Sequence, residues 1–262
     1  MSSSIFHSKL IWKNTWLVQG DGSSSYLVVG EKRGLVIDTG FASENIKVYA
    51  QSLTNKPVNR AANTHGHFDH AGGNGWFDKV YMSAKALEIA KTPYPSKESI
   101  NYPLDYPVKV IGDGDVIDLG ERTLEVIEIP AHAPSSVAYL DRKERLLFSG
   151  DEVAKGVMLV WMQDEPQPTI EQHFKNMQKL MQYRDVFDHI CSGHGEELFD
   201  ASLVEDLLEH DQQIMAGKEG EPMVLSGNEP ADFHLPQPEF KRFSFYKGTR
   251  MGYDLRYVFD KV

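Results

Sequence analysis

Short runs of alternating apolar and polar residues fill the first third of the chain, and glycines and charged residues separate them. Runs of this kind predict β-strands bounded by turns. The predicted strands are Thr15–Gln19, Ser25–Val29, Leu35–Ile37, Asn59–Asn63 and Val80–Met82. Apolar residues at three-to-four spacing predict a helix over Ser43–Leu53. Ser83, whose hydroxyl can accept hydrogen bonds from the following N–H groups, predicts the start of a helix that ends at Ala90.

The second half of the chain repeats this order of strands and then helices. Four runs predict consecutive antiparallel strands: Asp115–Leu119, Thr123–Ile129, Val137–Leu140 and Arg145–Phe148. An apolar face predicts a helix over Thr169–Gln182 with Thr169 as its cap, and a strand (His189–Ser192) and a helix (Ala201–Met215) follow. Two such halves favour an α/β (α+β) fold in which two stacked sheets are flanked by helices. We expect a single domain over residues 1–262, with a C-terminal extension from about residue 217.

Two segments depart from regular patterning. Thr92–Pro107 is rich in proline and tyrosine, and Val153–Pro168 contains proline, methionine and tryptophan. Long irregular segments are often functional, so we expect a substrate-pocket wall or lid with these candidates: Tyr94, Tyr102, Tyr106, Met158, Trp161 and Met162. A packed surface loop is the alternative for each aromatic residue taken alone. The tail contains two strand-like runs, Phe240–Phe245 and Tyr253–Phe259, expected to pair with the body of the protein or with a second subunit.

Composition and charge disfavour several classes of protein. The 262 residues include 27 basic and 38 acidic side chains, and the resulting net charge of −11 argues against a nucleic-acid surface. The N-terminus lacks the basic start and apolar core of a secretory signal. No run approaches the roughly 18 apolar residues of a membrane span. The single cysteine, Cys191, lies in an apolar run and is expected to be buried. A cytoplasmic enzyme fits all of these features. We separately expect a small-molecule substrate, no nucleic-acid or membrane partner, and a chain that can form a homodimer.

Histidine and aspartate concentrate in the motif His65-Gly66-His67-Phe68-Asp69-His70. His65 and His67 are two residues apart, so in extended backbone both side chains point to one side and can bind one ion. Asp69 and His70 follow where the chain turns toward a short helix, and they can face a neighbouring ion. Three further candidates each follow an apolar run: His132, Asp151 and His194. The other histidines lack such a context and are expected to be surface or core residues: His7, His173, His189, His210 and His234.

The motif resembles the HxHxDH signature of the metallo-β-lactamase-fold hydrolases, and the resemblance spans about residues 15 to 215. It implies a four-layer αβ/βα sandwich with two metal positions. The implied ligands are His65, His67 and His132 for the first position and Asp69, His70 and His194 for the second. Asp151 would bridge the two ions, and Asp38 would support the ligands from behind. Around His132 the chain departs from the family's usual Gly-His-Thr-Pro-Gly, because it reads Ala131-His132-Ala133-Pro134-Ser135.

The resemblance also implies a reaction. Two divalent ions about 3.5–4 Å apart would bind and deprotonate a bridging water, which would then be the nucleophile. Asp69 would steer this hydroxide or relay a proton, and Asp151 would hold the ions at their working separation. Nitrogen and oxygen ligands favour zinc, and they also accept iron or manganese. The motifs are most similar to those of glyoxalase II-like thioesterases and lactonases, which implies a dinuclear hydrolase of a small ester, thioester or lactone.

Other branches of the same fold are alternatives. An oxidoreductase resembling the persulfide dioxygenases would share the ligand motif but use one iron. A β-lactamase is less favoured, because those enzymes are normally exported and lack a bridging aspartate like Asp151. A phosphodiesterase that cleaves nucleic acid is disfavoured by the net charge of −11. A non-catalytic binding protein is the least favoured, since all seven ligands are intact.

Overall fold

The computed structural model describes residues 4–91, 105–160, 167–195, 198–224 and 237–261. The strands are β1 His7–Trp12, β2 Thr15–Gln19, β3 Ser25–Val29, β4 Gly34–Ile37, β5 Val58–Ala62, β6 Lys79–Met82, β7 Val108–Val110, β8 Val116–Asp118, β9 Thr123–Glu128, β10 Val137–Asp141, β11 Leu146–Gly150, β12 Gly156–Val160, β13 His189–Ser192, β14 Leu198–Asp200, β15 Glu221–Pro222, β16 Lys241–Tyr246 and β17 Thr249–Asp254. The helices are α1 Ile46–Ser52, α2 Phe68–Ala71, α3 Ala84–Ala90, α4 Ile170–Met181 and α5 Leu203–Met215.

The predicted helix starts are confirmed where a hydroxyl cap was expected. The Ser83 hydroxyl accepts the backbone N–H of Ala86 at 3.2 Å at the start of α3. The Thr169 hydroxyl accepts the backbone N–H of Gln172 at 2.9 Å at the start of α4. Each cap satisfies one of the N–H groups that a helix leaves without an intrahelical partner. The helix expected from residue 43 begins three residues later, because Asn45 caps it instead.

The strands form three sheets. The first sheet has the order β1-β2-β3-β4-β5-β6-β7, and its pairs change from antiparallel to parallel at β4. The second has the order β14-β13-β11-β10-β9-β8, in which only the β11–β13 pair is parallel. The third has the order β12-β17-β16-β15, in which β12 and β17 are parallel.

Adjacent residues of the central strands are buried on opposite faces, which defines the layers. Val28 of β3 and Phe148 of β11 pack together between the first two sheets. Leu27 faces the other way, against α1 and α3. Leu147 likewise packs on the outer side of the second sheet, against α4 and α5. The order of helices, sheet, sheet and helices confirms the predicted four-layer αβ/βα sandwich.

The third sheet was not expected from the sequence. Gly156–Val160, predicted to lie in an irregular segment, is strand β12 and pairs in parallel with β17. The last predicted strand is wrong in its bounds: Thr249–Asp254 forms the strand, and a short 3₁₀ helix at Leu255–Tyr257 follows it. The tail strands therefore pair with each other and with β12. Within the described part of the chain, no helix is long and apolar enough to cross a membrane.

A buried arginine connects the first two sheets. Arg122, 5 % exposed, lies in the turn between β8 and β9, and its Nε donates to Asp141 Oδ2 at 2.6 Å. Its guanidinium also donates to the Asn14 carbonyl and the Thr15 hydroxyl, on the first sheet, at 2.9 and 2.7 Å. A buried arginine whose donors are so well matched with acceptors is costly to remove, because its carboxylate partner is left unpaired away from water.

We expect Arg122→Ala to lower the free energy of unfolding by about 3–5 kcal/mol, as measured by urea denaturation of the metal-free chain. Arg142→Ala is the matched control, because its 2.7 Å ion pair with Glu125 is partly exposed and should contribute only about 0–1 kcal/mol. Equal losses in the two variants would contradict the assignment of Arg122 as the connection between the sheets.

Candidate metal centre

The candidate ligands lie at one edge of the sandwich, where five strands end. Asp38 follows β4, and His65 and His67 follow the parallel neighbour β5. In the second sheet the ends of β9, β11 and β13 are followed by these residues: His132, Asp151 and His194. These three strands run in the same direction, since β9 and β11 are both antiparallel to β10 and β13 is parallel to β11. Active sites of layered α/β folds commonly lie at this edge.

The first predicted ligand set is brought together. One ligand atom from each of His65, His67 and His132 lies within 4.8 Å of the others. His132 Nε2 and His67 Nδ1 are 3.1 Å apart. Their rings meet edge to face, with centroids 4.9 Å apart, so the two nitrogens converge on one point. Three neutral imidazoles in this arrangement form a site that suits zinc.

The second set lies beside the first, with Asp151 between them. Asp69, His70 and His194 also have ligand atoms within 4.8 Å of one another. Asp151 Oδ1 lies 3.4 Å from His70 Nε2, and its Oδ2 lies 3.3 Å from His194 Nε2. The same Oδ2 is 3.6 Å from His132 Nε2 of the first set. The Asp151 carboxylate therefore faces both sets, which is the position predicted for a bridging ligand.

Polar atoms without partners show that this cluster suits a metal. His65 Nε2, His70 Nε2 and Asp151 Oδ1 are buried and form no hydrogen bond with the part of the chain that the structure describes. A buried polar atom without a partner is costly, and its presence in a native protein needs an explanation. All three atoms belong to residues of the clusters described above, and a divalent cation would satisfy each of them.

Hydrogen bonds behind the rings orient them for binding. Asp38 accepts the Thr64 hydroxyl at 2.8 Å and His70 Nδ1–H at 2.9 Å. Because the Thr64 hydroxyl donates its hydrogen to Asp38, the Thr64 hydroxyl oxygen is free to accept a hydrogen bond from His65 Nδ1 at 3.0 Å. His132 Nδ1–H donates to the Leu159 carbonyl of β12 at 2.9 Å. His65 and His132 thus carry their proton on Nδ1, so that their Nε2 lone pairs point into the cluster, and the contact with Asp38 turns His70 Nε2 the same way.

The charge states of the metal-free ligands differ between the two sets. Burial lowers the pKa of His132 to about 4. Burial, with neighbouring His70 and His67, also holds the pKa of His65 well below its ordinary value. For His70, burial alone would lower the pKa, but three carboxylates, led by Asp69, outweigh it and raise that pKa well above its ordinary value. For Asp151 burial acts in the opposite sense, but His70 and His194 hold its pKa well below the usual range.

Ser135, in the loop that follows His132, forms hydrogen bonds on both sides. The Ser135 hydroxyl, at a position where the pattern has glycine, accepts the backbone N–H of Gly66 at 3.3 Å. The Ser83 hydroxyl donates to the Ser135 carbonyl at 2.8 Å. A Cβ at Gly66 would approach the Ala86 carbonyl oxygen at 2.6 Å, so glycine permits this close packing of the ligand loop on α3.

Two of the six predicted pocket residues are buried in the protein, and the other four lie outside the described residues. Met158 is 2 % exposed and packs in the core against α4 and α5, so its assignment to a pocket wall is corrected. Tyr106 is 5 % exposed and accepts a hydrogen bond from Asn74 at 3.2 Å, which is also a packing role. The other candidates lie outside the described residues: Tyr94, Tyr102, Trp161 and Met162.

Several contacts around the site were missed by sequence reasoning. Glu152 is fully buried and accepts the backbone N–H groups of Ala131 and His132. His173, predicted to be a surface or core residue, is a buried core residue that contacts the Glu152 carbonyl. The only sequence signal for Glu152 is its place next to Asp151. Single residues of this kind have no local spacing pattern that would distinguish them.

Gly193 permits the close approach of β13 to the cluster. A Cβ built on this residue would overlap Asp151 Oδ1 and His70 Cε1. We therefore expect Gly193→Ala to displace Asp151 and lower zinc affinity by about 10–100-fold, as measured by competition with a chromophoric chelator. Gly112→Ala is the control, because its nearest neighbour would be Glu128 Oε1 at 3.5 Å. Unchanged affinity in Gly193→Ala would contradict the described packing.

Metal binding should release protons near neutral pH. His70 carries a proton in the metal-free chain because its pKa is raised well above its ordinary value, and a bound histidine nitrogen must be deprotonated. Zinc added to metal-free protein in weak buffer at pH 7 should therefore acidify the solution, and affinity should fall as the pH falls. A pH indicator measures the release, and His7→Ala should behave like the parent chain. Zinc uptake without acidification would show that His70 is already neutral.

The comparisons with known proteins agree with this geometry. The family model of the metallo-beta-lactamase superfamily matches residues 18–161. The acyl-coenzyme A thioesterase MBLAC2 of Gallus gallus is 30% identical over 218 residues, which cover 71% of this chain and 78% of that protein. Its Homo sapiens counterpart is 29% identical, with 67% and 74% covered. A metallo-beta-lactamase from Pontibacter korlensis shares the fold, with a TM-score of 0.59 and 20% identity over 78% of this chain and 97% of that chain. The chain belongs to the metallo-β-lactamase superfamily and is a metal-dependent hydrolase of that family.

Proposed function

We propose that the chain hydrolyses acyl thioesters at a centre that binds two divalent metal ions. Zinc is the first choice for both ions, because affinity for nitrogen and oxygen ligands is higher for zinc than for manganese or ferrous iron. The position of Asp151 carries the proposal, since its two oxygens face ligand sets on either side at 3.3–3.6 Å. A carboxylate placed in this way favours a bridged pair of ions over a single ion.

Exposure within the cluster is uneven among the described residues. The side chain of His194 is 51% exposed, and those of Asp69 and Asp151 are 20% and 15% exposed. His65 and His70, by contrast, are almost completely buried. A substrate carbonyl therefore approaches from the side of His194, where it meets the carboxylates of Asp69 and Asp151.

Water is the nucleophile that this site favours. The only cysteine of the chain, Cys191, is buried between the two sheets, where burial raises the pKa of its thiol. When bound, divalent ions polarise a carbonyl and lower the pKa of water toward about 7. The water oxygen adds to the carbonyl carbon and the carbon–sulfur bond breaks. A carboxylate oxygen of Asp69 accepts the water proton and returns it to the departing sulfur, so the products are a carboxylic acid and a thiol.

An aromatic surface beside the opening suits an apolar acyl group. Phe41 and Phe68 stack with ring centroids 5.3 Å apart, and both are partly exposed. Phe68 directly precedes Asp69, which places the aromatic pair next to the partly exposed carboxylate. The loop that contains Ser23 lies beside them, because the Ser23 N–H donates to the Asp69 carbonyl at 3.4 Å. The similarity to proteins named acyl-coenzyme A thioesterases supports a thioester over a lactone.

The test is a substrate panel that keeps the acyl group constant. One medium-chain acyl group is presented as its coenzyme A thioester, its N-acetylcysteamine thioester and its ethyl ester, and a lactone of the same chain length completes the panel. Released thiol is followed with a thiol-reactive dye, and released acid is titrated. We expect thioester hydrolysis that chelation abolishes and zinc restores. Asp69→Asn should lower kcat by about 10²–10⁴-fold, and metal content measured on the same variant separates loss of the proton acceptor from weaker binding at the second position.

His7→Ala is the control, because this histidine is exposed on β1 and belongs to none of the candidate ligand sets among the described residues. Faster hydrolysis of the ester or lactone than of both thioesters would contradict the thioester proposal. Hydrolysis of the coenzyme A thioester alone would show that the nucleotide part of coenzyme A is recognised as well. One bound metal in fully active enzyme would contradict the two-metal centre.

A further inference from the structure

The residue after the bridging aspartate is a buried carboxylate that belongs to none of the metal-ligand clusters among the described residues. Glu152 is 0% exposed. One of its oxygens, Oε1, accepts the backbone N–H of Ala131 at 2.9 Å and that of His132 at 2.6 Å. Burial of a carboxylate is costly unless hydrogen bonds replace its water. Glu152 therefore uses its buried oxygen to fix the backbone at Ala131 and His132.

His132 is held at two points, and Glu152 supplies one of them. The ring is fixed by the hydrogen bond from Nδ1 to the Leu159 carbonyl at 2.9 Å. The backbone is fixed by the Glu152 carboxylate. With both points fixed, Nε2 is placed 3.1 Å from His67 Nδ1 and 3.6 Å from Asp151 Oδ2. A shift of the backbone alone would tilt the ring away from the other ligands.

Glu152 is itself tied to the helices behind the second sheet. Its carbonyl accepts His173 Nε2–H from α4 at 3.1 Å. The other ring nitrogen of His173 donates to Asp211 Oδ2 on α5 at 2.7 Å. All three residues are completely buried. The carboxylate that holds the His132 loop is thus connected to the rigid outer layer of the sandwich.

We propose that Glu152 is a positioning residue, which fixes the backbone of His132 and thereby sets the geometry of the first metal position. Its role depends on the reach of the side chain to the two N–H groups. This inference concerns metal binding, and it holds whether the substrate is a thioester, an ester or a lactone.

Two substitutions distinguish the length of the Glu152 side chain from its negative charge as the property that matters. Glu152→Gln keeps the length and a carbonyl oxygen that can accept both N–H groups, but it loses the charge. Glu152→Asp keeps the charge but withdraws the oxygens by one methylene group. We expect Glu152→Asp to weaken cobalt(II) binding at the first position by about 10–100-fold and to change the visible ligand-field spectrum of the bound ion. Glu152→Gln should keep the affinity and the spectrum of the parent chain.

The measurements use the intact chain, stripped of metal and titrated with cobalt(II) against a chromophoric chelator. Asp141→Asn is the matched control. Asp141 is also a fully buried carboxylate that accepts a backbone N–H, from Glu144 at 3.0 Å, but among the described residues it forms no hydrogen bond with a candidate ligand. This control should lower thermal stability and leave the cobalt spectrum unchanged.

Three results would overturn the proposal. Parental cobalt binding in Glu152→Asp together with loss in Glu152→Gln would show that charge, rather than reach, is what matters. Parental binding in both variants, with reduced thermal stability, would show that Glu152 only stabilises the fold. A changed cobalt spectrum in Glu152→Gln contradicts a role based on reach, whether or not Glu152→Asp folds.

Discussion

The site depends on one constraint: several buried imidazoles must present their lone pairs to the same point. Each ring can do this only if its other nitrogen has a fixed acceptor, which sets the tautomer and the ring angle. Asp38 supplies this acceptor directly for His70 and through the Thr64 hydroxyl for His65. Asp38 itself lies in left-handed backbone, at φ 57°, where the chain turns out of β4. Aspartate tolerates this conformation better than most residues, which makes it suitable at the end of this strand.

The two ligand sets use similar residues in different environments. His65 and His132 are enclosed by protein and by each other, and burial favours their neutral forms. His70 and His194 lie beside Asp69 and Asp151, whose negative charges favour the protonated forms in the metal-free chain. A metal ion at the first position therefore meets His65 and His132 in their neutral forms, whereas one at the second must displace protons from His70 and His194. These four ligands are all histidines, so the difference between their pKa values follows from the positions of the neighbouring carboxylates.

The parts of the fold that were predicted from the sequence depend on local signals. The caps of α3 and α4 could be predicted because Ser83 and Thr169 act on N–H groups only three residues away. The spacing of His65 and His67 is equally local, and the structure brings these two residues together. The third sheet could not be predicted in this way, since β12 pairs with a strand about ninety residues later in the chain. Glu152 was missed for the same reason, because its partners at residues 131 and 132 are distant in sequence.

Strand β12 links the tail of the chain to the metal centre. On its inner face, Met158 and Val160 complete the core against α4 and α5. Between them, the Leu159 carbonyl accepts the ring N–H of His132. Leu159 pairs with Gly252 of β17, where a Cβ would approach Leu159 Cδ2 at 2.7 Å, so the absence of a side chain lets the two strands pack closely. Strand β17 lies beyond the residues that the family model matches. The orientation of a candidate metal ligand therefore depends on the C-terminal sheet through backbone pairing, although none of the described tail residues belongs to the ligand clusters.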